Sequence, residues 1–245
     1  MHSIRKNNVY ILVPSDSVPA GHRCIGSRWV YKEKVDLSYK ARVVVQGWGQ
    51  VPSVDSGSTR APVCKIQRTC MVLAVAAEYD SEHGCWQLDY NILIRLLNAE
   101  LNEEVYVKMA PEYKEFDANG TSMVMRPRKS LYGLRQSPDC WWGTVDTHLV
   151  EIGFKSLTLY PCVYIYKESG DVYILALYVN DVLLPGKVSK VLERAKHKLM
   201  GRFSMTDMGD VSLVLGIEVV RDRNSKTVII SQKRHTTSLV ERYEM

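Results

Sequence analysis

The sequence predicts an α+β fold in which an antiparallel sheet is packed by helices, and three observations carry that prediction. First, β-rich segments come in pairs joined by short polar links: residues 29–35 with 40–46, 163–166 with 172–179, and 213–221 with 227–231. Second, residues 64–79 place Ile66, Cys70, Leu73, Ala74 and Ala77 on the i, i+3/i+4 rhythm of an amphipathic helix. Residues 138–152 read as another, with Pro138 near the start and Gly153 just past the end. Third, residues 172–179 are apolar on both faces, as in a strand at the middle of a sheet covered by helices on at least one side.

The remaining elements follow in chain order. Residues 1–28, with Pro14 and Pro19, form an irregular lead-in with at most a short strand at 9–13, and 47–62 is a loop rich in Gly, Ser and Pro. A short strand at 86–90 ends at Asp89, 92–101 is helical, and 104–109 is a strand. The stretch 113–122 turns at Asn119-Gly120, and Glu168-Ser169-Gly170-Asp171 is a hairpin turn. Residues 188–203 make a basic amphipathic helix, and a last helix runs toward Met245.

At 245 residues and 46% hydrophobic, the chain can bury a sizeable core. The formal charge of +5 is modest, but residues 118–138 carry Arg126, Arg128, Lys129 and Arg135 and no acid. That excess suits a polyanion, although a charge run is usually a solvated basic face. The six cysteines have none of the close spacings of zinc or redox motifs and read as small core residues. The apolar runs are too short to span a bilayer, so the expectation is a reduced, intracellular protein with no membrane partner.

Tyr178-Val179-Asn180-Asp181 lies between two apolar runs and presents polar side chains at a hairpin tip. An acid there, with Asp89 at the edge of an earlier strand, is what two-metal phosphoryl transfer requires: carboxylates from different strands converging on hard cations. Asn-Asp is also a natural turn pair, and a strand-end Asp is often a cap.

Seven blocks follow one another along the chain: Arg28-Trp29-Val30-Tyr31-Lys32, the run from Tyr39 to Trp48, Trp86-Gln87-Leu88-Asp89, the run from Glu104 to Met109, the run from Lys129 to Pro138, Tyr178-Val179-Asn180-Asp181 and Leu215-Gly216-Ile217-Glu218. In their order and near spacing they resemble the reverse transcriptase of copia-type LTR retrotransposons. The resemblance implies the fingers and palm of a right-hand polymerase, with the thumb absent or partial. Residues 1–28 would be a lead-in and 29–80 fingers-like. Residues 81–210 would be palm-like with an interleaved fingers segment, and 211–245 a primer-grip-like hairpin and the start of a thumb.

The resemblance also implies roles. Asp89 and Asp181 match the first and last catalytic aspartates, which hold Mg²⁺, with Mn²⁺ as an alternative. Lys40 and Arg42 match the basic groups that grip the incoming dNTP. Gly133 matches a close backbone approach to nucleotide and template base, and Arg135 and Gln136 would reach template or nucleotide. Leu215, Gly216 and Ile217 match the hairpin that holds the primer terminus. Partners would be an RNA or DNA template with its primer. The setting would be a cytoplasmic virus-like particle or the nucleus, and the integrase and RNase H parts of the parent polyprotein are not in this sequence. Lys187, Lys190, Arg194, Lys196 and Lys198 could meet phosphates.

The chain also departs from the pattern. Where the family has Tyr-Val-Asp-Asp, position 180 is Asn, and an amide cannot supply the negative charge that offsets two divalent cations. Metal binding should weaken, and losing one preorganised stabiliser typically costs about 10²–10³ in rate. Residues 89–96 lack the aromatic ring that excludes a ribose 2′-hydroxyl, and the segment runs two residues long. Arg60 stands in an aromatic slot, Gln46 replaces a basic residue and Tyr160 replaces an acid. The expectation is a reverse transcriptase by descent, catalytically impaired. Its alternatives are a non-enzymatic nucleic-acid-binding remnant or a non-functional fragment.

Overall fold

A computed structural model describes residues 2–33, 39–59, 61–78, 82–88, 99–168, 170–179, 181–186, 190–203, 205–222, 224–225 and 227–244. The chain divides into two compact units, one formed by residues 1–61 and 91–145 and the other by 62–90 and 146–245.

In the first unit, helix α1 (His2–Lys6) leads into β1 (Tyr10–Pro14). A four-stranded sheet has the order β1, β7 (Met123–Pro127), β6 (Tyr106–Lys108), β2 (Cys24–Ile25), with the β2–β6 pair parallel. Beside it stands the hairpin of β3 (Ser27–Glu33) and β4 (Tyr39–Val45), paired from Ser27↔Val45 to Glu33↔Tyr39. The core gathers Val9, Ile25, Val43, Val45, Val105, Val107, Met125, Leu131 and Leu134, with Trp29 packed on its margin.

The predicted basic stretch 118–138 is largely tied down within this unit. Arg126 pairs with Glu104 at 2.9 Å, Lys129 Nζ donates to the Asn7 carbonyl, and Arg135 Nε donates to the Gly47 carbonyl. Three of the four cations that suggested a polyanion surface are therefore engaged with the chain itself.

The second unit holds a six-stranded antiparallel sheet in the order β12 (Met205–Asp210), β5 (Glu82–Leu88), β11 (Asp181–Gly186), β10 (Asp171–Tyr178), β9 (Tyr160–Glu168), β8 (Lys155–Leu157). The doubly apolar strand is central, as the pattern predicts: Tyr173, Leu175, Ala176 and Leu177 are all buried. Its two faces have different partners. Ala176, Val163 and Leu183 share a core cluster with Val72 and Leu73 of helix α2 (Ile66–Glu78). On the other face Tyr166 contacts Tyr173 and Phe154, and Tyr164 Oη donates to Asp146 of helix α3 (Ser137–Glu151) at 2.8 Å.

Helix α4 (Lys190–Arg202) follows the sheet, and His148 of α3 meets the Lys198 carbonyl at 3.2 Å and the Phe203 ring edge-on. A three-stranded sheet of β13 (Leu213–Val214), β14 (Ile217–Asp222) and β15 (Thr227–Ser231) and helix α5 (Lys233–Tyr243) end the chain. No residue of α5 is buried. Among the described residues, no helix is long and apolar enough to cross a membrane.

Strands β7 and β12 and helix α1 go beyond the sequence reading, and the predicted helix at 92–101 falls mostly outside the described residues. The cysteine reading also gains a detail, because buried Cys64 and Cys162 lie in one core cluster and interact. The hydrogen bond they share pushes the Cys162 thiol up.

Candidate active site

The tip of the β10–β11 hairpin is a two-residue loop. Tyr178 pairs with Asp181, so only Val179 and Asn180 connect the strands. Val179 has φ of 49°, the left-handed backbone of the first residue in a primed turn. A β-branched residue there is strained by roughly 1–3 kcal/mol. We expect Val179→Asn, whose short side chain tolerates that conformation, to stabilise the chain by about 1 kcal/mol in urea denaturation. A loss of stability would show that Val179 contributes packing that outweighs the strain.

Asp181 heads β11, half-buried, and stands opposite Gln87 on β5. Strand β5 ends at Leu88, the residue before Asp89. Asp89 and Asn180 lie outside the described residues, as do Lys187 and Arg60. Among the described residues no three His, Cys, Asp or Glu side chains gather as a metal cluster. Asp181 offers hard oxygen donors of the kind Mg²⁺ takes.

The predicted primer-grip residues form a second tight turn. Val214 pairs with Ile217, and Leu215 and Gly216 both have positive φ, 54° and 76°. That is a type I′ hairpin with Gly at its second position. Val214 and Ile217 are buried, while Glu218 is held by Arg234 at 2.9 Å and by the Ser231 hydroxyl at 3.0 Å.

The other candidates belong to the first unit, where the structure brings four of them together. Lys40 takes the register position opposite Lys32. The Arg42 guanidinium lies 5.7 Å from the centre of the Tyr132 ring, and its Nε is buried with no hydrogen-bond partner among the described residues. Next to Tyr132, Gly133 has φ of 90°, and a Cβ there would sit 1.9 Å from the Val45 carbonyl oxygen. A Cβ on Gly47 would sit 1.9 Å from the Gly133 carbonyl oxygen. The close approach expected at Gly133 is therefore made by the chain's own strand β4.

Arg135 and Gln136 differ from expectation in the same sense. The Arg135 backbone N–H donates to Gln50 Oε1 at 2.7 Å, and its guanidinium donates to the Gly47 carbonyl at 2.9 Å. Gln136 is fully buried: its Nε2 donates to the Asp55 carbonyl and its Oε1 accepts from Gln50 Nε2 at 2.9 Å. Such a side chain presents nothing to a template, so its place in the motif is explained by a buried amide network that fastens 47–55 to the start of α3. We expect Gln136→Leu to cost about 2–3 kcal/mol in a urea melt, since it removes one donor and one acceptor from that interior. Gln50 and Asp55, 86 and 81 residues away along the chain, carried no local sequence signal for this role.

Other side chains are placed locally. Trp141 is buried. On α4, Arg194 pairs with Glu168 and Lys196 with Glu193, so these cations have acidic partners. Tyr160, which stands where the resemblance expects an acid, carries the Arg68 guanidinium 4.5 Å above its ring.

A family model described as reverse transcriptase (RNA-dependent DNA polymerase) matches residues 7–245, and the chain belongs to that family. Its relatives are Pol polyproteins of retrotransposons. It is 35% identical over its whole length to the retrovirus-related Pol polyprotein from transposon TNT 1-94 of Nicotiana tabacum, covering 18% of that protein. It is 31% identical over 98% of its length to the polyprotein from transposon RE2 of Arabidopsis thaliana, covering 16%. A Ty1-DR1 Gag-Pol polyprotein of Saccharomyces cerevisiae matches 89% of the chain at 27% identity and 12% coverage. The chain thus spans less than a fifth of these relatives. Among solved structures, a telomerase from Candida albicans in complex with the TWJ fragment of telomeric RNA aligns over 94% of the chain and 50% of its own, at TM-score 0.49 and 10% identity.

Proposed function

We propose that the chain is the fingers and palm portion of an RNA-directed DNA polymerase, with residues 29–80 and the interleaved segment as fingers and the β5, β9–β11 sheet as palm. We further propose that its nucleotidyl transfer is impaired. The observation that carries the reading is the β10–β11 hairpin: it sets Asp181 at a strand head, paired to the strand that leads directly into Asp89.

In the reaction this supports, a primer 3′-hydroxyl attacks the α-phosphate of a dNTP and pyrophosphate leaves. Bound Mg²⁺, or Mn²⁺, would neutralise charge at the attacking and leaving oxygens. Asp89 and Asp181 would hold it through carboxylate oxygens. Asn180 adds at most a neutral oxygen at the position between them in the motif, which weakens cation binding. Lys40 and Arg42 would meet the triphosphate, supplying fixed positive charge. The Leu215-Gly216-Ile217 turn would support the primer end. Arg135 and Gln136 act by positioning the loop beneath Gly47 and Gly133.

The amide at 180 favours a second reading, a nucleic-acid-binding remnant without turnover. Both readings require binding of an RNA template with its primer in the cytoplasm or nucleus. Fluorescence anisotropy across a salt series tests that binding, and affinity is expected to fall steeply as salt rises. Salt-independent binding would contradict the phosphate contacts assigned to the basic residues.

A further inference from the structure

Cys64 and Cys162 lie far apart in the sequence and meet inside the second unit. Cys64 stands two residues before α2, and Cys162 is the third residue of β9. Both are buried, at 0% and 1% exposure, in the cluster that packs α2 against the sheet. A second contact joins the same two elements: the guanidinium of Arg68, in the first turn of α2, lies 4.5 Å from the ring centre of Tyr160, the first residue of β9. The start of α2 is thus held on the start of β9, and the two sulfurs share a hydrogen bond. Contact between the sulfurs is the geometric precondition of a disulfide.

The two thiols have different settings. Cys162 donates to the Cys64 sulfur, which also meets the Thr69 hydroxyl at 3.7 Å and feels the Arg68 charge. These groups hold the Cys64 thiol below its usual range against the opposing effect of burial, while Cys162 stays protonated. Cys64 also lies just beneath the surface. It belongs to a short stretch without helix or strand, and its neighbours Val63 and Lys65 are both exposed. Local opening of that stretch bares one sulfur without unfolding the sheet.

We propose that Cys64 and Cys162 are a reversible oxidation site, closing to a disulfide when the chain meets a peroxide and so fastening the start of α2 to β9. The Cys64 thiolate attacks one peroxide oxygen, the O–O bond breaks, and Cys64 becomes a sulfenic acid while the departing hydroxide takes up the Cys64 proton as water. The Cys162 sulfur then attacks the Cys64 sulfur, the S–O bond breaks, and a second water leaves with the Cys162 proton. Two thiols have lost two electrons and two protons, and hydrogen peroxide has become two waters. A thiol reductant reverses the bond by exchange. The link closes the long loop from residue 64 to 162, which restricts the unfolded chain. The inference stands apart from the nucleic-acid reading, since it draws on no residue assigned to template, primer or dNTP.

The test treats the whole, reduced chain with a small molar excess of hydrogen peroxide in native buffer, alkylates the remaining thiols in urea and digests with trypsin. Cys64 and Cys162 fall on separate peptides, 61–65 and 156–167, each holding one cysteine. Mass spectrometry is expected to find these two peptides linked in most of the chain, and dithiothreitol to release them. Oxidation should raise the urea midpoint by about 1 M or more, and the reductant should return it. Cys162→Ser should remove both the link and the shift and leave Cys64 as a sulfenic acid that dimedone labels. Six alkylated cysteines after peroxide overturn the proposal, as does a link between any other pair. A link that forms as readily in the urea-unfolded chain overturns it too, because the packed core would then have no part in bringing the sulfurs together. A linked chain with an unchanged midpoint overturns the fastening of α2. The peptide map of the unaltered chain decides the matter even where the serine variant unfolds.

Discussion

Replacing Asn180 with aspartate is expected to raise single-nucleotide incorporation on an RNA template by about 10²–10³-fold, a transition-state gain of roughly 2.7–4 kcal/mol. Position 180 directly precedes Asp181 in the motif, and Asp181 heads β11. Asn and Asp are nearly isosteric, so the exchange alters charge with little change in shape. The restored carboxylate gives the cations the negative charge the amide lacks, and the gain should be larger in kcat than in the KM for dNTP. If Asn180→Asp stays inactive, the amide is not the sole lesion and the rebuilt segment 89–96 is implicated. The resemblance implies that this segment is longer than the family pattern by two residues and lacks its gating ring.

The second large effect is on stability. Gly133→Ala should cost about 3–5 kcal/mol, near the top of the range for single substitutions. Two costs combine there. The φ of 90° is unfavourable for any residue with a Cβ, and the new methyl would stand 1.9 Å from the Val45 carbonyl oxygen, a backbone atom that cannot swing aside. Gly47→Ala meets the Gly133 carbonyl oxygen at the same distance and should behave similarly. Urea denaturation with a fitted slope checks both. A loss below about 1 kcal/mol would mean that β4 and the Tyr132–Gly133 turn can separate at little cost. Because Gly133 adjoins Tyr132, over which Arg42 lies, displacement here should also weaken the dNTP contact proposed for Arg42.

The hairpins were legible because period-2 alternation and turn residues are local signals. The β9–β10 turn, the central position of β10 and helices α2 and α3 all follow from residues within a few positions of each other. Strand β7 was hidden by Arg126 and Pro127, which lower β propensity even though β1 and β6 flank it. Strand β12 reads Met-Thr-Asp-Met-Gly-Asp, too acidic and Gly-containing to stand out, and it forms only at the sheet edge.

The candidate site divides in the same way. Position 180 is readable only as sequence, since its chemistry is the exchange of one oxygen for nitrogen. The buried amide network of Gln50, Asp55 and Gln136 is readable only in three dimensions, because its partners lie more than 80 residues apart. The roles of Gly133 and Gln136 therefore had to be assigned by motif before the structure showed that the chain's own backbone occupies their surroundings. The meeting of Cys64 with Cys162, far apart in sequence, was likewise invisible until the packing of α2 on the sheet showed it.

The central claim is that this is a reverse transcriptase palm whose catalytic hairpin has lost a carboxylate. Single-turnover extension of a labelled primer on an RNA template, by the chain with Asn180 in place and with Mg²⁺ and Mn²⁺ in parallel, tests it most directly. The account predicts no product or a trace with either metal. Clear dNTP incorporation, at a rate comparable to that of Asn180→Asp, would contradict it.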